Sequence, residues 1–291
     1  MKARLADLLA RHESHAFAVR GYEPFLAQRI GGLIAAGRPA SCLRLGDGEG
    51  NILGACDRQF RNLQRLSAQK AAEMHLGKWF PASVLQFWKD ATFAAIGNAD
   101  IIGVPCEGRI EQLYRNLRNH KQVAGFDIRG ACGTINALRY AHACLSGASP
   151  RRIVTNCWFH RDLLPYYPGI LGNRCRIGLI SCHPELPMKL RSAFAVKQVD
   201  FFQIPGQISN TGRRPPCGHY PDRFEAIMEE LKTLKRGQIV LVAAGILGKI
   251  YCNGIKERGG IALDIGSVAD VWIGQRARRY HNDAYLEKWR L

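Results

Sequence analysis

The chain has no long apolar run, few acids for its bases, and none of the common catalytic motifs. No stretch of about 18 apolar residues occurs, which excludes a membrane-spanning helix. Met1-Lys-Ala-Arg-Leu-Ala-Asp7 carries charge throughout and lacks the apolar centre of a secretion signal. The 10 cysteines include no Cys-x-x-Cys pair, so a reducing cytoplasm without structural disulfides is expected. Cys182-His183 and Cys217-Gly-His219 match no standard zinc spacing. A Gly-x-x-x-x-Gly-Lys-Ser/Thr phosphate loop, a Gly-x-Ser-x-Gly elbow and a His-Glu-x-x-His pair are all missing. Acids number 24 against 41 Lys and Arg, a net charge of +17. That balance favours anionic partners: nucleotide sugars, nucleic acid or an anionic membrane surface. The bases are spread along the chain, with small groups at Arg213-Arg214 and Arg276–Arg279. No basic stretch is interleaved with aromatics, so no specific nucleic-acid motif is expected. The basic, aromatic segment Gln275–Leu291 is a candidate for peripheral membrane contact, against a packed terminal helix as the alternative.

What the chain does have is Ser41-Cys-Leu-Arg-Leu-Gly-Asp-Gly-Glu-Gly50. Cys42–Leu45 reads as the end of a β-strand, and Asn51-Ile-Leu53 as the start of a helix. Strand-to-helix junctions of this kind are where α/β proteins place ligands. Gly46, Gly48 and Gly50 fail the dinucleotide fingerprint, whose sixth position is here Asn51 rather than Gly. Asp47 and Glu49 repel each other and would repel a phosphate. A divalent cation between them reconciles the pair, because hard cations take carboxylate oxygens. Asp47 as a simple helix cap is the competing explanation, and it leaves Glu49 unaccounted for.

Around this turn the apolar patterning predicts an α/β chain. Residues 2–36 have helical spacing, broken near Gly21 and ended by Gly37-Arg-Pro39. Gln59–Leu66 reads as a polar connection. Ser67 is expected to cap a helix to Leu76, and Pro81-Ala-Ser83 to start another to Ala95. Strands are expected at Ala99–Val104, Arg152–Cys157, Cys175–Cys182, Val196–Ile204, Gly237–Gly245 and Ile261–Ile265. Between them fall helices at Ile110–His120, from Thr134 to Leu145, Trp158–Tyr167, Glu185–Phe194, Pro221–Leu234 and Ile246–Arg258. Gly125–Ala131, Gly147–Pro150, Pro168–Asn173 and Ile208–Tyr220 read as turns or loops, and a basic helix closes the chain. The strands are continuous apolar runs, which predicts a mostly parallel sheet with helices on both faces. With no linker or repeat, the expectation is one domain: a helical segment over residues 1–38 and an α/β core over 39–291.

A second junction is Ala243-Ala-Gly-Ile-Leu-Gly-Lys249. Gly245 and Gly248 let backbone approach a ligand, and a helix N-terminus offers an anion site. Lys249 either reaches a phosphate or is solvated. Asp264-Ile-Gly-Ser267 ends the next strand, and Asp264 either bonds a sugar hydroxyl or caps the last helix.

Together these segments resemble the bacterial glycosyltransferases of the GT-D fold, formerly a domain of unknown function. The first signature of that family is Arg-x-Gly-Asp-Gly-Glu, here Arg44-Leu-Gly-Asp-Gly-Glu49. The second is a strand, a Gly-x-x-x-Lys helix start and an Asp-Ile-Gly turn, here Gly245–Lys249 and Asp264–Gly266. Pro205-Gly-Gln207 takes the place of a Pro-containing turn in the family. The resemblance implies a Rossmann-like fold and transfer of a sugar from a nucleotide donor, typically UDP-glucose. It implies Mn²⁺ or Mg²⁺ held through Asp47 and Glu49, and an acceptor that is a glycan, a glycoprotein or lipid-linked. Where many members carry His after Asp-Ile-Gly, this chain has Ser267-Val-Ala-Asp-Val-Trp272, with Asp270 as a replacement carboxylate.

The expected mechanism places the cation on Asp47, Glu49 and the donor diphosphate, neutralising charge on the leaving group. Arg44, Gly46 and Gly48 would complete one side of the donor site, and Gly245, Gly248, Lys249 and Gly266 the other. Asp264, Asp270 and Glu185 are candidates for the base that accepts the acceptor's proton. The alternatives are a nucleotide- or polyanion-binding protein of the same fold with altered catalytic chemistry, and a nucleic-acid-binding protein with steep salt dependence.

Overall fold

The computed structural model describes residues 23–57, 61–119, 125–145, 152–207, 218–278 and 280–291. The part of the helical stretch expected over residues 2–36 that precedes Glu23, the loop Gly147–Pro150, Arg213-Arg214 and Cys217 lie outside the described residues.

In chain order the elements are α1 (Glu23–Ala35), β1 (Ala40–Arg44), α2 (Asp47–Leu53), α3 (Arg61–Leu76), α4 (Ala82–Asn98), β2 (Ile101–Val104), α5 (Glu107–Asn119) and α6 (Gly125–Leu145). There follow β3 (Ile153–Asn156), α7 (Phe159–Asp162), α8 (Tyr167–Leu171), β4 (Arg176–Ser181), α9 (Leu186–Phe194), β5 (Gln198–Gln203), α10 (Phe224–Glu230), β6 (Ile239–Val242), α11 (Gly248–Glu257), β7 (Ile261–Asp264), α12 (Val268–Trp272) and α13 (Asp283–Trp289).

The seven strands form one parallel sheet in the order β3-β2-β1-β7-β6-β4-β5. This is the Rossmann-like α/β architecture expected, with α1 as its N-terminal helical segment. All seven strands fall where the apolar runs place them. β2, β6 and β7 are buried along their whole length, which is why they read as continuous rather than alternating runs. The strand order reverses at β1, so the turn leaving β1 stands at a topological switch point, where open α/β sheets bind ligands. Among the described residues no helix is long and apolar enough to cross a membrane.

The chain divides into two compact units. The first takes in Leu43–Met74 and Lys78–Trp158. The second takes in the described residues through Cys42, His75–Gly77 and Phe159–Leu291.

Several helices differ from expectation. α2 begins at Asp47 rather than Asn51, so both acids lie in a helical first turn, where negative charge meets the positive end of the helix dipole. α3 begins at Arg61, so residues 61–66 of the expected polar connection are helical and Ser67 is a buried interior residue, not a cap. α6 runs through Gly125–Ala131, which was expected to be irregular, and Thr134 is buried inside it. Glycine there signalled a turn from sequence. In the fold it provides close helix packing: a Cβ on Gly133 of α6 would stand 2.0 Å from the Asp47 carbonyl oxygen. Tyr167–Leu171 is helical, with Pro168 at its first turn, where the missing N–H costs nothing.

Candidate active site

The Asp47 turn belongs to the first unit and is built by helix packing. Leu45 N–H donates to the Gly103 carbonyl of β2 (2.7 Å), carrying the chain straight off β1. Gly46 is the N-cap of α2 in an extended conformation. Its N–H donates to Glu49 Oε2 at 2.8 Å, the return half of a capping box. Glu49 is thus buried, 5% exposed, and one of its oxygens satisfies a helix end. This is the structural role that the sequence left unassigned. A Cβ at Gly46 would come within 3.0 Å of the same Glu49 oxygen and 3.8 Å of Arg44 Nη1.

Behind the turn, α2 lies directly on the backbone of α6. A Cβ on Gly50 would meet the Gly133 carbonyl oxygen at 1.7 Å, and Asn51 Nδ2 donates to the carbonyls of Asp47 (2.7 Å) and Arg129 (3.0 Å). Gly50 and Gly54 lie four residues apart on one face, and a Cβ on Gly54 would likewise meet Asn136 of α6, at 2.0 Å, so that face is bare where α6 approaches. Gly48 occupies the second position of α2, between the two acids.

Asp47 is left facing outward, its side chain 35% exposed, with Arg109 Nη2 of α5 at 3.8 Å from Oδ2. Arg109 also donates to Gln112 Oε1 at 2.9 Å. Arg44 and Arg109 both place positive charge near the buried Cys157 thiol. That thiol is nevertheless pushed well up by its hydrogen bond with Cys106 and by burial. Arg109 was not anticipated from the sequence; it sits in an amphipathic helix with no motif around it.

In the second unit, Gly245 has φ +56°, and a Cβ there would collide with Gln207 Nε2 (2.4 Å) and His75 Nδ1 (2.7 Å). Gly248 opens α11, and Lys249 follows it, 1% exposed. Lys249 neither reaches outward nor is solvated. Its Nζ lies 2.5 Å from Asp264 Oδ2 at the end of β7, and the two side chains are 1% and 3% exposed. Asp264 is therefore an internal counter-ion in this conformation rather than an open carboxylate. Gly266 has φ +46°, and its N–H donates to the Val242 carbonyl at 3.3 Å, tying the turn after β7 to the end of β6. Ser267 Oγ is hydrogen-bonded to Tyr280 Oη at 2.8 Å.

Asp270 on α12 is paired with His183, which follows β4: Nε2 to Oδ1 is 2.9 Å. Burial pushes the His183 imidazole down, but its hydrogen bonds to Asp270 and Cys182 outweigh burial and lift it to about 10. Glu185, the remaining base candidate, is exposed at the N-cap of α9.

Among the described residues no three His, Cys, Asp or Glu side chains gather into a metal-binding group. At the turn after β1, Asp47 offers an open carboxylate, with Glu49 beside it partly engaged. Mg²⁺ is usually held by one or two carboxylates plus substrate phosphates and water rather than by a protein cage. The pair fits that partial role and no fuller one.

No family model matches the chain, and no curated protein does. Among solved structures, the chain is similar to one described as a selenomethionine-substituted structure of domain of unknown function 1792 (DUF1792). The two share 11% identity and a TM-score of 0.51, over 91% of this chain and 82% of that one. At that identity the likeness shows the fold alone.

Proposed function

We propose that the chain is a nucleotide-sugar-dependent glycosyltransferase that moves a hexose, with UDP-glucose as the first donor to test, to a glycan, glycoprotein or lipid-linked acceptor. The observation that carries this reading is the outward-facing Asp47 carboxylate beside Arg109, at the switch point where β1 ends. In such a transfer the bond from the anomeric carbon to the diphosphate breaks, a bond to the acceptor oxygen forms, and the acceptor gives up a proton. The barrier lies largely in the negative charge gathering on the leaving diphosphate, and fixed cations aimed at it lower that barrier. Arg44 and Arg109 are the guanidinium groups on this side, suited to bidentate phosphate binding. Mn²⁺ or Mg²⁺, when bound, would supply further charge neutralisation through Asp47 and Glu49. Glu49 also fixes the first turn of α2, which orients Asp47. In the second unit, Lys249 and Asp264 act as a positioning pair that joins α11 to β7 and shapes the turns at Gly245, Gly248 and Gly266. A cytoplasmic setting, with peripheral contact at the inner membrane face, suits a cytosolic donor and a surface-glycan acceptor.

The test is UDP-hexose hydrolysis and transfer over a panel of acceptors. Wild type is compared with Asp47→Asn and Arg109→Ala, with and without EDTA. Turnover that survives both substitutions and the chelator would refute the reading.

A second reading is a nucleotide- or polyanion-binding protein of the same fold without transfer activity. The observation favouring it is Ser267, bonded to Tyr280 at the position where GT-D members carry His. UDP binding without turnover across the panel would select it.

A further inference from the structure

His183 stands two residues past the end of β4, at the carboxyl edge of the sheet where α/β proteins bind ligands. It lies in the second unit and has no part in the Asp47 turn. Its backbone is fixed on both sides: its N–H donates to Ser181 Oγ (3.2 Å), and its carbonyl accepts from Leu186 N–H (3.2 Å). Its ring is fixed as well. Nε2 lies 2.9 Å from Asp270 Oδ1 and 3.7 Å from Cys182 Sγ. Both contacts use the same nitrogen. Among the described residues Nδ1 makes no hydrogen bond, and the side chain keeps 11% of its surface exposed. One nitrogen is therefore clamped by a buried carboxylate, while the other has no partner among the described residues.

This is not the arrangement of a Cys–His–Asp nucleophile. There the base would use one nitrogen for the thiol and the other for the carboxylate; here the thiol and the carboxylate share Nε2. The facing charges are also clear. Asp270 is the charged group against the ring, Cys182 is the titratable neighbour on its own strand end, and Asp270 also acts electrostatically on His281. With Nε2–H given to Asp270, the imidazolium is the favoured form, and its second proton sits on Nδ1 pointing away from the pair.

We propose that His183, held by Asp270, is an oxyanion-recognition site in which Nδ1–H donates to a phosphate oxygen of the ligand. The site goes beyond the glycosyltransferase reading, because it needs only a phosphate. A charge-assisted donor with a locked ring is pre-organised for such an acceptor. The raised titration of His183 agrees with this, since it keeps the donor charged through neutral pH.

The experiment is an imidazole ¹⁵N NMR titration of the full chain with inorganic pyrophosphate, with affinities measured by calorimetry. In wild type the His183 Nδ1 resonance, identified by its loss in His183→Gln, should move with saturable binding. His183→Gln should bind pyrophosphate about tenfold more weakly or worse. Asp270→Asn removes the clamp, and the ring should then titrate near its ordinary range. Pyrophosphate affinity in that variant should drop, relative to wild type at the same pH, as pH rises through neutrality. A purely structural Asp270 would not produce that pH-dependent ratio. UDP and a hexose 1-phosphate in parallel identify whether a nucleotide or a phosphorylated sugar supplies the oxyanion; a His183 response to either supports the site. Wild-type spectra in which no imidazole Nδ1 resonance moves at saturating pyrophosphate, an outcome read without any variant, overturn the proposal, as does equal affinity in a folded His183→Gln. Failure of UDP-hexose turnover with an intact pyrophosphate response would sink the glycosyltransferase reading and leave this site standing.

Discussion

Gly50 and Gly133 meet backbone to backbone, so closely that a Cβ on Gly50 would fall 1.7 Å from the Gly133 carbonyl oxygen. That contact seats α2 on α6, and it holds the turn carrying Asp47. Rigid backbone cannot step aside as a flexible side chain would, so Gly50→Ala must separate the helices. A loss of about 3 kcal/mol or more is expected, at the upper end of overpacking costs. Gly97 supplies the control. It lies inside α4 with nothing within 4 Å of its Cβ position, so Gly97→Ala should stabilise by up to about 1 kcal/mol through helix propensity. Urea unfolding of both variants reads the contrast directly, and equal effects would contradict the packing described.

Glu49 serves the fold through Gly46 N–H and, in the proposed function, serves the site through its charge. The two roles separate by substitution. Glu49→Gln keeps an acceptor for the Gly46 N–H and should hold stability while lowering turnover. Glu49→Ala removes the cap as well and should cost about 1 kcal/mol. Thermal melts beside UDP-hexose assays make the distinction; equal stability in the two variants would mean that the 2.8 Å bond contributes nothing.

Asp47 differs from Glu49 in that it holds nothing up. Its side chain is 35% exposed and its partner Arg109 is 3.8 Å away, the kind of surface pair worth little to stability. Asp47→Asn should therefore stay within about 0.5 kcal/mol of wild type while abolishing metal-stimulated turnover. Loss of folding in this variant would show that Asp47 is a structural residue.

These contrasts show which physics a sequence exposes. β6 was legible because Ile239–Val242 is buried on both faces and so consists of apolar residues alone. α6 was not, because Gly125–Gly133 serves a helix crossing that depends on a second, distant segment, and locally it reads as a turn. The acids at Asp47 and Glu49 stood out as a pair. The capping bond that occupies Glu49 depends on where α2 begins, a boundary decided by packing against α6. Arg109 carries no local signal at all. The His183–Asp270 pair spans 87 residues, and only the order of strands brings its members together. Lys249 was read as outward-facing because Lys usually is; its burial becomes visible only once Asp264 is seen opposite it.

That buried pair supports a sharper expectation. Lys249 and Asp264 are 1% and 3% exposed, so removing one partner strands the other charge out of water. Lys249→Met should cost roughly 3–5 kcal/mol. Adding Asp264→Leu should return much of that loss, because an apolar pair of similar volume has no charge to desolvate. A double-mutant cycle by urea denaturation measures the coupling, and additive losses would show that the two side chains act independently.

Two of the buried histidines, His219 and His183, contribute to the pH dependence of stability with opposite signs. His219, stacked on Tyr251 and bonded to its hydroxyl at 2.9 Å, is pushed down to about 3, first by burial and then by the charge of Arg223. The unfolded chain takes up this proton near 6.5 and the folded one does not, so stability is level above pH 6.5 and falls as pH drops from there toward 3. His183 does the reverse. Its folded titration lies near 10, so its contribution is complete below pH 6.5 and fades as pH rises toward 10. Each group contributes a slope of at most about 1.4 kcal/mol per pH unit. His219→Gln should flatten the acid limb of a stability–pH curve and leave the alkaline limb alone, whereas Asp270→Asn should flatten the alkaline limb. Urea midpoints across the range decide it. An acid limb unchanged in His219→Gln would mean that other groups, and not this buried imidazole, govern acid unfolding.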